Sequence, residues 1–279
     1  MLKVIKNGFF TTVQDNGRYG LRNKGVPVSG AMDLVASSRA NQLLENDMDA
    51  AVLEVTMTGP SLVFTEDTFI CLAGAEFDVK LNELGISNDK VYGVRSGDVL
   101  SFGKLKKGLR SYLAVKNGFN TELILGSRSF YTPITATAVI QRNVTIPYES
   151  CSHFKPKIAE VKVDSILNES CIEVHKGPEY ELLSKKQLEL IFFNNFTIAK
   201  ENNRMAYQLQ ETIDTHTISM ITSATLPGTV QLTPKGKLII LMRDGQTTGG
   251  YPRIMQLSAA AISVLAQKKF GDVISFKLL

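Results

Sequence analysis

The hexapeptide Gly97-Asp98-Val99-Leu100-Ser101-Phe102 recurs near the C-terminus as Gly271-Asp272-Val273-Ile274-Ser275-Phe276, with one conservative difference. Two weaker matches keep the same order. Gly59-Pro60-Ser61-Leu62-Val63-Phe64 corresponds to Gly228-Thr229-Val230-Gln231-Leu232, and Asn16-Gly17-Arg18-Tyr19 to Asn202-Asn203-Arg204-Met205. The offset drifts from pair to pair, as insertions in surface loops would make it drift. Three ordered matches imply two structurally similar lobes rather than one continuous core. A chain of 279 residues is long enough for two domains of ordinary size.

The local pattern within each half is mainly β. Short apolar or alternating runs lie between glycine, proline and asparagine punctuation: Val52 to Val55, Leu62 to Phe64, Thr68 to Leu72, Phe77 to Leu81, Val99 to Phe102, Tyr112 to Val115, Leu238 to Met242 and Val273 to Phe276. Three short helices are expected. The first spans about Asp33 to Leu44, capped by Asp33, with Ala36, Ala40, Leu43 and Leu44 on one face. The second follows Ser184, whose spacing to Gln187 is a capping box, and the third follows Ser258. Residues 146–170 are polar and weakly patterned. They are expected to connect an N-terminal lobe over 1–145 to a C-terminal lobe over 171–279.

Charge and cysteine usage exclude several classes. The net charge of +4 is spread along the chain, and Lys104-Leu105-Lys106-Lys107 has no aromatic interleaving, so it reads as a solvated turn rather than a nucleic-acid patch. Cys71, Cys151 and Cys171 lack CxxC spacing, and the three histidines are scattered, so neither a disulfide framework nor a zinc site is indicated. The N-terminus lacks a signal-peptide core, and no apolar run approaches the roughly 20 residues of a membrane helix. A cytoplasmic location is the expectation. There is no GxxxxGK[ST] loop, no GxGxxG, no GxSxG and no Ala-Met-Lys-Met biotin-attachment sequence.

Asp244-Gly245-Gln246-Thr247-Thr248-Gly249-Gly250-Tyr251-Pro252-Arg253 is the segment richest in chemistry. Glycines let backbone N–H groups converge on an anion, the threonines add hydroxyl donors, and Arg253 suits a carboxylate or phosphate. An ordinary wide loop fits the same composition. Around Arg18, Ser29-Gly30 approaches the first helix, whose N-terminus favours an anion, although capping is the commoner use of Ser29 and Asp33. Gly126-Ser127-Arg128-Ser129 offers similar donors but reads first as a polar loop.

Taken together, Val13 to Gly20, Gly25 to Asp33, Leu53-Glu54-Val55-Thr56, Gly59-Pro60-Ser61-Leu62, Gly126 to Ser129, Asp244 to Pro252, Ala266-Gln267 and Gly271-Asp272 resemble the family that contains the C subunit of 5-oxoprolinase, KipA and the second half of the urea carboxylase carboxyltransferase domain. The resemblance implies two pseudo-repeated cyclophilin-like β-barrel lobes with a few short helices. It further implies one component of an ATP-dependent 5-oxoprolinase, which converts 5-oxo-L-proline to L-glutamate. Its partners would be a KipI-like B subunit together with the A subunit of 5-oxoprolinase. ATP would be shared with those partners, Mg is a candidate accompanying ion, and no biotin would be attached to this chain. Two other readings stay open: a KipA-type regulator binding a KipI-like kinase inhibitor, and a carboxyltransferase component acting on a urea-like amide. Two positions depart from the family pattern, Asn203-Arg204-Met205-Ala206 in place of Asp-Arg-Met-Gly, and Ala261 in place of an acid.

Amide opening needs cations and oriented donors where negative charge accumulates. On this basis Arg18 and Arg204 are expected to neutralise the anion, and Asp244 to act as proton acceptor or metal anchor. Ser29, Asp33, Gln246, Thr247, Thr248, Gly249, Gly250, Tyr251 and Arg253 are expected to bind or enclose the substrate.

Overall fold

The computed structural model describes residues 1–163 and 165–279. They form two units, Met1–Arg18 with Ser29–Leu167, and Tyr19–Val28 with Asn168–Leu279. The architecture is mostly β, as expected.

In the first unit the strands are β1 (Leu2–Lys6), β2 (Phe10–Gln14), β3 (Val52–Thr56), β4 (Ser61–Phe64), β5 (Thr68–Leu81), β6 (Leu84–Ile86), β7 (Val91–Val94), β8 (Val99–Val115) and β9 (Thr145–Ile146). They make one nine-stranded sheet along the path β2-β3-β8-β4-β1-β9, with β5 paired to β6, β7 and β8. The free edge of β2 is covered by chain rather than left open, since Phe130 and Ile140 donate their N–H groups to the carbonyls of Val13 and Thr11. Leu2, Val4, Leu53, Leu62, Phe64, Leu100 and Leu113 fill the core.

Helix α1 (Leu34–Leu43) is capped by the Asp33 carboxylate, which accepts the N–H of Ala36 at 3.0 Å. Its Ala36, Ala40 and Leu43, with Leu44 beyond it, pack on Cys71, Ala73, Tyr112 and Ala114. Burial of Cys71 pushes its thiol up to about 12, an inert core residue.

Two expectations are corrected in this unit. The separate strands at Thr68–Leu72 and Phe77–Leu81 are one strand, β5, and those at Val99–Phe102 and Tyr112–Val115 are one strand, β8. Three register shifts between Gly74 and Val79 bend this long pair. Lys104-Leu105-Lys106-Lys107 is therefore strand, not turn. Leu105 packs inward, Lys104 and Lys106 are exposed, and Lys106 pairs with Asp78, the period-2 alternation of a half-solvated ribbon. The stretch expected to connect the lobes lies largely along the first unit. Ile146 pairs with Leu2, Cys151 donates to the carbonyl of Asp67, and Val161 to that of Asp89.

The second unit contains β10 (Cys171–Lys176), α2 (Lys185–Phe193), β11 (Phe196–Asn202), β12 (Ala206–Thr212), β13 (Ser223–Ala224), β14 (Thr229–Leu232), β15 (Lys237–Leu241), β16 (Thr248–Gly249), β17 (Arg253–Leu257), α3 (Ala259–Ala266) and β18 (Val273–Leu278). Seven strands close into a barrel in the order β10-β17-β14-β15-β12-β11-β18, and β13 pairs with β16 in a separate ribbon. Ser184 and Gln187 complete the expected capping box on α2, and Ser258 caps α3 through the N–H of Ala261.

The repeated Gly-Asp turns are alike in detail. Gly97 and Gly271 have φ of 91° and 87°. In each turn the aspartate N–H bonds the carbonyl three residues back (Arg95, Lys269), and its carboxylate accepts that residue's N–H, at 2.8 and 2.9 Å. The Gly59/Gly228 match is looser. Each glycine precedes a strand, but β4 pairs with β1 and β8, whereas β14 pairs with β15 and β17.

Candidate functional site

The residues singled out from sequence fall into two groups, one on each unit. In the first unit Asp15, at the end of β2, organises the Gly126–Ser129 loop. Its carboxylate accepts Gly17 N–H at 2.8 Å and the Ser127 hydroxyl, Ser129 hydroxyl and Arg128 N–H at 2.6 Å each. Arg18 is completely buried and donates to the backbone carbonyls of Ile124 and Ser129. It secures this loop from beneath instead of facing solvent, which differs from the anion-neutralising part expected of it.

Ser29 has a φ of 56° and a buried hydroxyl with no hydrogen-bond partner among the described residues. Gly30 follows at φ 83°, where a Cβ would sit 2.7 Å from the carbonyl oxygen of Asn16. Only glycine fits this close approach. Asp33 is fully buried as the cap of α1. Asp33 displays the capping use expected of this segment, whereas the Ser29 hydroxyl does not.

Beneath that cap lies a network not anticipated as a site. Glu54 is fully buried; it accepts the N–H of Met32 at 2.8 Å and the hydroxyl of Tyr112 at 2.9 Å, and lies 3.7 Å from the Arg110 guanidinium. Tyr112 in turn accepts the N–H of Asp33 at 2.8 Å. Burial, then the neighbouring Glu54 charge, pushes the Tyr112 phenol well above its ordinary value, so it serves as a neutral donor. The charged residue at Glu54 within an otherwise apolar strand was the available signal.

In the second unit Arg204, in the turn between β11 and β12, meets Asp244, which follows β15. Two hydrogen bonds of 2.8 and 3.1 Å join the guanidinium to the carboxylate, and Asp244 N–H also bonds the Arg204 carbonyl. With side chains 6% and 11% exposed, the pair is nearly enclosed. The planar fork fixes the loop that starts at Gly245. Beyond it Gln246, Thr248, Gly250 and Tyr251 are exposed, while Thr247 and Gly249 are half-buried. The loop thus presents amide, hydroxyl, phenol and backbone donors outward from a rigid base.

Behind the loop stand residues that sequence reasoning missed. Thr225 donates its hydroxyl to the Gln246 carbonyl, Gln246 Nε2 reaches Gln231 Oε1 at 3.4 Å, and Arg22 donates to the carbonyls of Thr225 and Gln246. None shares a local motif with the loop; the tertiary fold brings them together. Among the described residues no group of three or more His, Cys, Asp or Glu side chains is placed to hold a metal ion.

Arg253 has a different partner from the one expected. Its guanidinium grips Glu179 at 3.0 and 2.8 Å and donates to the Ala224 carbonyl, so a carboxylate of the chain itself occupies the fork. Hydrogen bonding from Arg253 holds the Glu179 carboxyl below its ordinary value of 4.5, while Arg253 is raised and stays charged. A depressed carboxyl stabilises the fold above its unfolded pKa, and that contribution is lost as pH falls through the folded value. Glu179→Gln is therefore expected to be less stable than the parent at neutral pH, with the gap closing below about pH 4.5. Urea unfolding at a series of pH values checks this, and a gap independent of pH would contradict it.

Comparison with known proteins fits this architecture. The carboxyltransferase domain, subdomain A and B, matches residues 24–278. The chain is 32% identical over 282 aligned residues to the C subunit of 5-oxoprolinase from Escherichia coli, covering 99% of this chain and 90% of that one. It is also 39% identical over 130 residues to the urea amidolyase of Lachancea kluyveri, covering 46% of this chain and 7% of that one. The solved urea carboxylase of Kluyveromyces lactis superimposes with a TM-score of 0.87 at 25% identity, over 100% of this chain and 27% of that one. The chain spans between 18% and 56% of five solved chains it superimposes on. Matched along nearly its whole length, this chain belongs to the carboxyltransferase family of subdomain A and B proteins.

Proposed function

We propose that this chain is the C-type component of an ATP-dependent 5-oxoprolinase, opening 5-oxo-L-proline to L-glutamate with a KipI-like B-type partner and an A-type partner. The observation that carries this reading is the extent of likeness along this chain: it is 32% identical to the 5-oxoprolinase relative over 99% of its residues, against 26% over the same share for the putative urea carboxylase of Emericella nidulans and 39% over only 46% for the urea amidolyase relative.

Opening a lactam places negative charge on the carbonyl oxygen, and donors held at that position lower the barrier. The Gln246–Tyr251 loop supplies them: the Gln246 amide, the Thr247 and Thr248 hydroxyls, and the backbone N–H groups of Gly249 and Gly250, with the Tyr251 phenol beside them. Arg204 and Asp244 are positioning residues in this reading, because each occupies the other's hydrogen-bonding face. Arg18, Ser29 and Asp33 shape the first unit's loops. Arg253 orders the far end of the loop through Glu179.

ATP and its Mg ion are assigned to the complex. The carboxylates at this chain's loop, Asp244 and Glu179, are already paired with Arg204 and Arg253.

A second reading, carboxyl transfer to a urea-like amide, is favoured by the family match over residues 24–278. Co-expression with candidate A-type and B-type partners, followed by assay of ATP turnover, separates the two. Turnover stimulated by 5-oxoproline, with glutamate formed, is expected. A complex that turns over only with a biotin carboxylase and a urea-like acceptor would overturn the first reading.

A further inference from the structure

Two buried N–H donors behind the loop have no acceptor among the described residues: Nη1 of Arg22 and Nε2 of Gln231. Gln231 is 1% exposed and lies on β14, a strand of the barrel wall. Buried donors are nearly always satisfied by protein, ordered water or ligand, so two open ones within one cluster are candidates to hold a bound acceptor.

Both residues contact Gln246. Arg22 Nη2 donates to the carbonyls of Thr225 and Gln246, and the Gln246 side chain touches Gln231. Gly249 completes the enclosure, since a Cβ there would lie 2.4 Å from Gln231 Nε2 and 3.4 Å from Thr225 Cγ2. No described carboxylate pairs with Arg22, whose bonds go to neutral carbonyls. Burial accordingly pulls its guanidinium below its ordinary value, the direction of a desolvated cation without a counter-charge.

We infer that Arg22 and Gln231 form a carboxylate-binding subsite, with one oxygen of the ligand accepting from Arg22 Nη1 and the other from Gln231 Nε2. A carboxylate matches this demand: it brings the charge that Arg22 lacks and two acceptors for two donors. Both donor atoms are covered, so the ligand enters when β16 parts from β13. That ribbon is two residue pairs long, Ser223 with Gly249 and Ala224 with Thr248. Identifying the ligand with the carboxylate of 5-oxoproline rests on the reading above; the subsite itself does not.

The test is titration of the full chain with acetate, followed by amide NMR. Saturable shifts are expected at the Gln231 side-chain amide and the Gly249 backbone N–H. Arg22→Met should weaken binding by at least about tenfold, the loss of one charge-assisted bond, while the variant still melts cooperatively. Gly249→Ala should weaken it as well, by crowding Gln231. Shifts confined to surface lysines, or equal acetate affinity in Arg22→Met, would overturn the subsite even if the assembled complex hydrolyses 5-oxoproline. Saturable acetate binding lost in Arg22→Met would uphold it even if 5-oxoproline fails to stimulate ATP turnover.

Discussion

Replacing Glu54 by alanine is expected to destabilise the first unit by about 3–5 kcal/mol, the usual consequence of removing one partner from a buried ion pair. The reason lies in what Glu54 holds. Its carboxylate faces the Arg110 guanidinium and binds the Met32 N–H and the Tyr112 hydroxyl, and all of these are buried. Loss of the carboxylate leaves a guanidinium and two donors without it in a place water does not reach. Tyr112→Phe removes a single hydroxyl from the same network and should cost less, about 1–3 kcal/mol. Hydrogen exchange of the β3 and α1 amides measures both. Protection equal to the parent in Glu54→Ala would show that the network carries no stability.

The second large effect concerns Arg204 and Asp244. Asp244→Ala removes the paired carboxylate from a guanidinium that is 6% exposed, and should lower stability of the barrel by about 3–5 kcal/mol. Glutamate formation by the assembled complex should fall with it. The double variant Arg204→Met/Asp244→Leu separates the two consequences. Removing both charges is often nearly neutral for stability, so the double variant should regain most of the lost stability. It also removes the fork that sets the start of the Gln246–Tyr251 loop. Because misplacement of about 1 Å can reduce rate by about 100-fold, activity should stay about 100-fold below the parent. A stable double variant with full activity would show that the pair serves folding alone.

Some of this was legible from the chain itself. Asp33, Ser184 and Ser258 each cap a helix where the sequence places the cap, because an oxygen-bearing side chain just before a helical run has one strongly favoured local use. The Gly97 and Gly271 turns match for the same reason: positive φ followed by an aspartate is a requirement met within four residues. Continuity of β5 and β8 was not legible. Lys104 to Lys107 looks like turn composition, and only pairing with the opposite strand shows that its alternation is strand.

Arg18 and Arg204 mark the boundary clearly. They occupy matching positions in a repeated motif, yet one donates to two backbone carbonyls and the other grips a carboxylate forty residues away in sequence. Nothing within a few residues of either says which acceptor it will meet. The amino-acid order alone determined the caps, the repeated turns, the β character and the family, since these depend on neighbours in sequence. Tertiary structure decided which arginine meets which acceptor, and brought Arg22 and Gln231 behind the glycine loop. Those partners are chosen by burial and by long-range closure of a barrel, which no local pattern records.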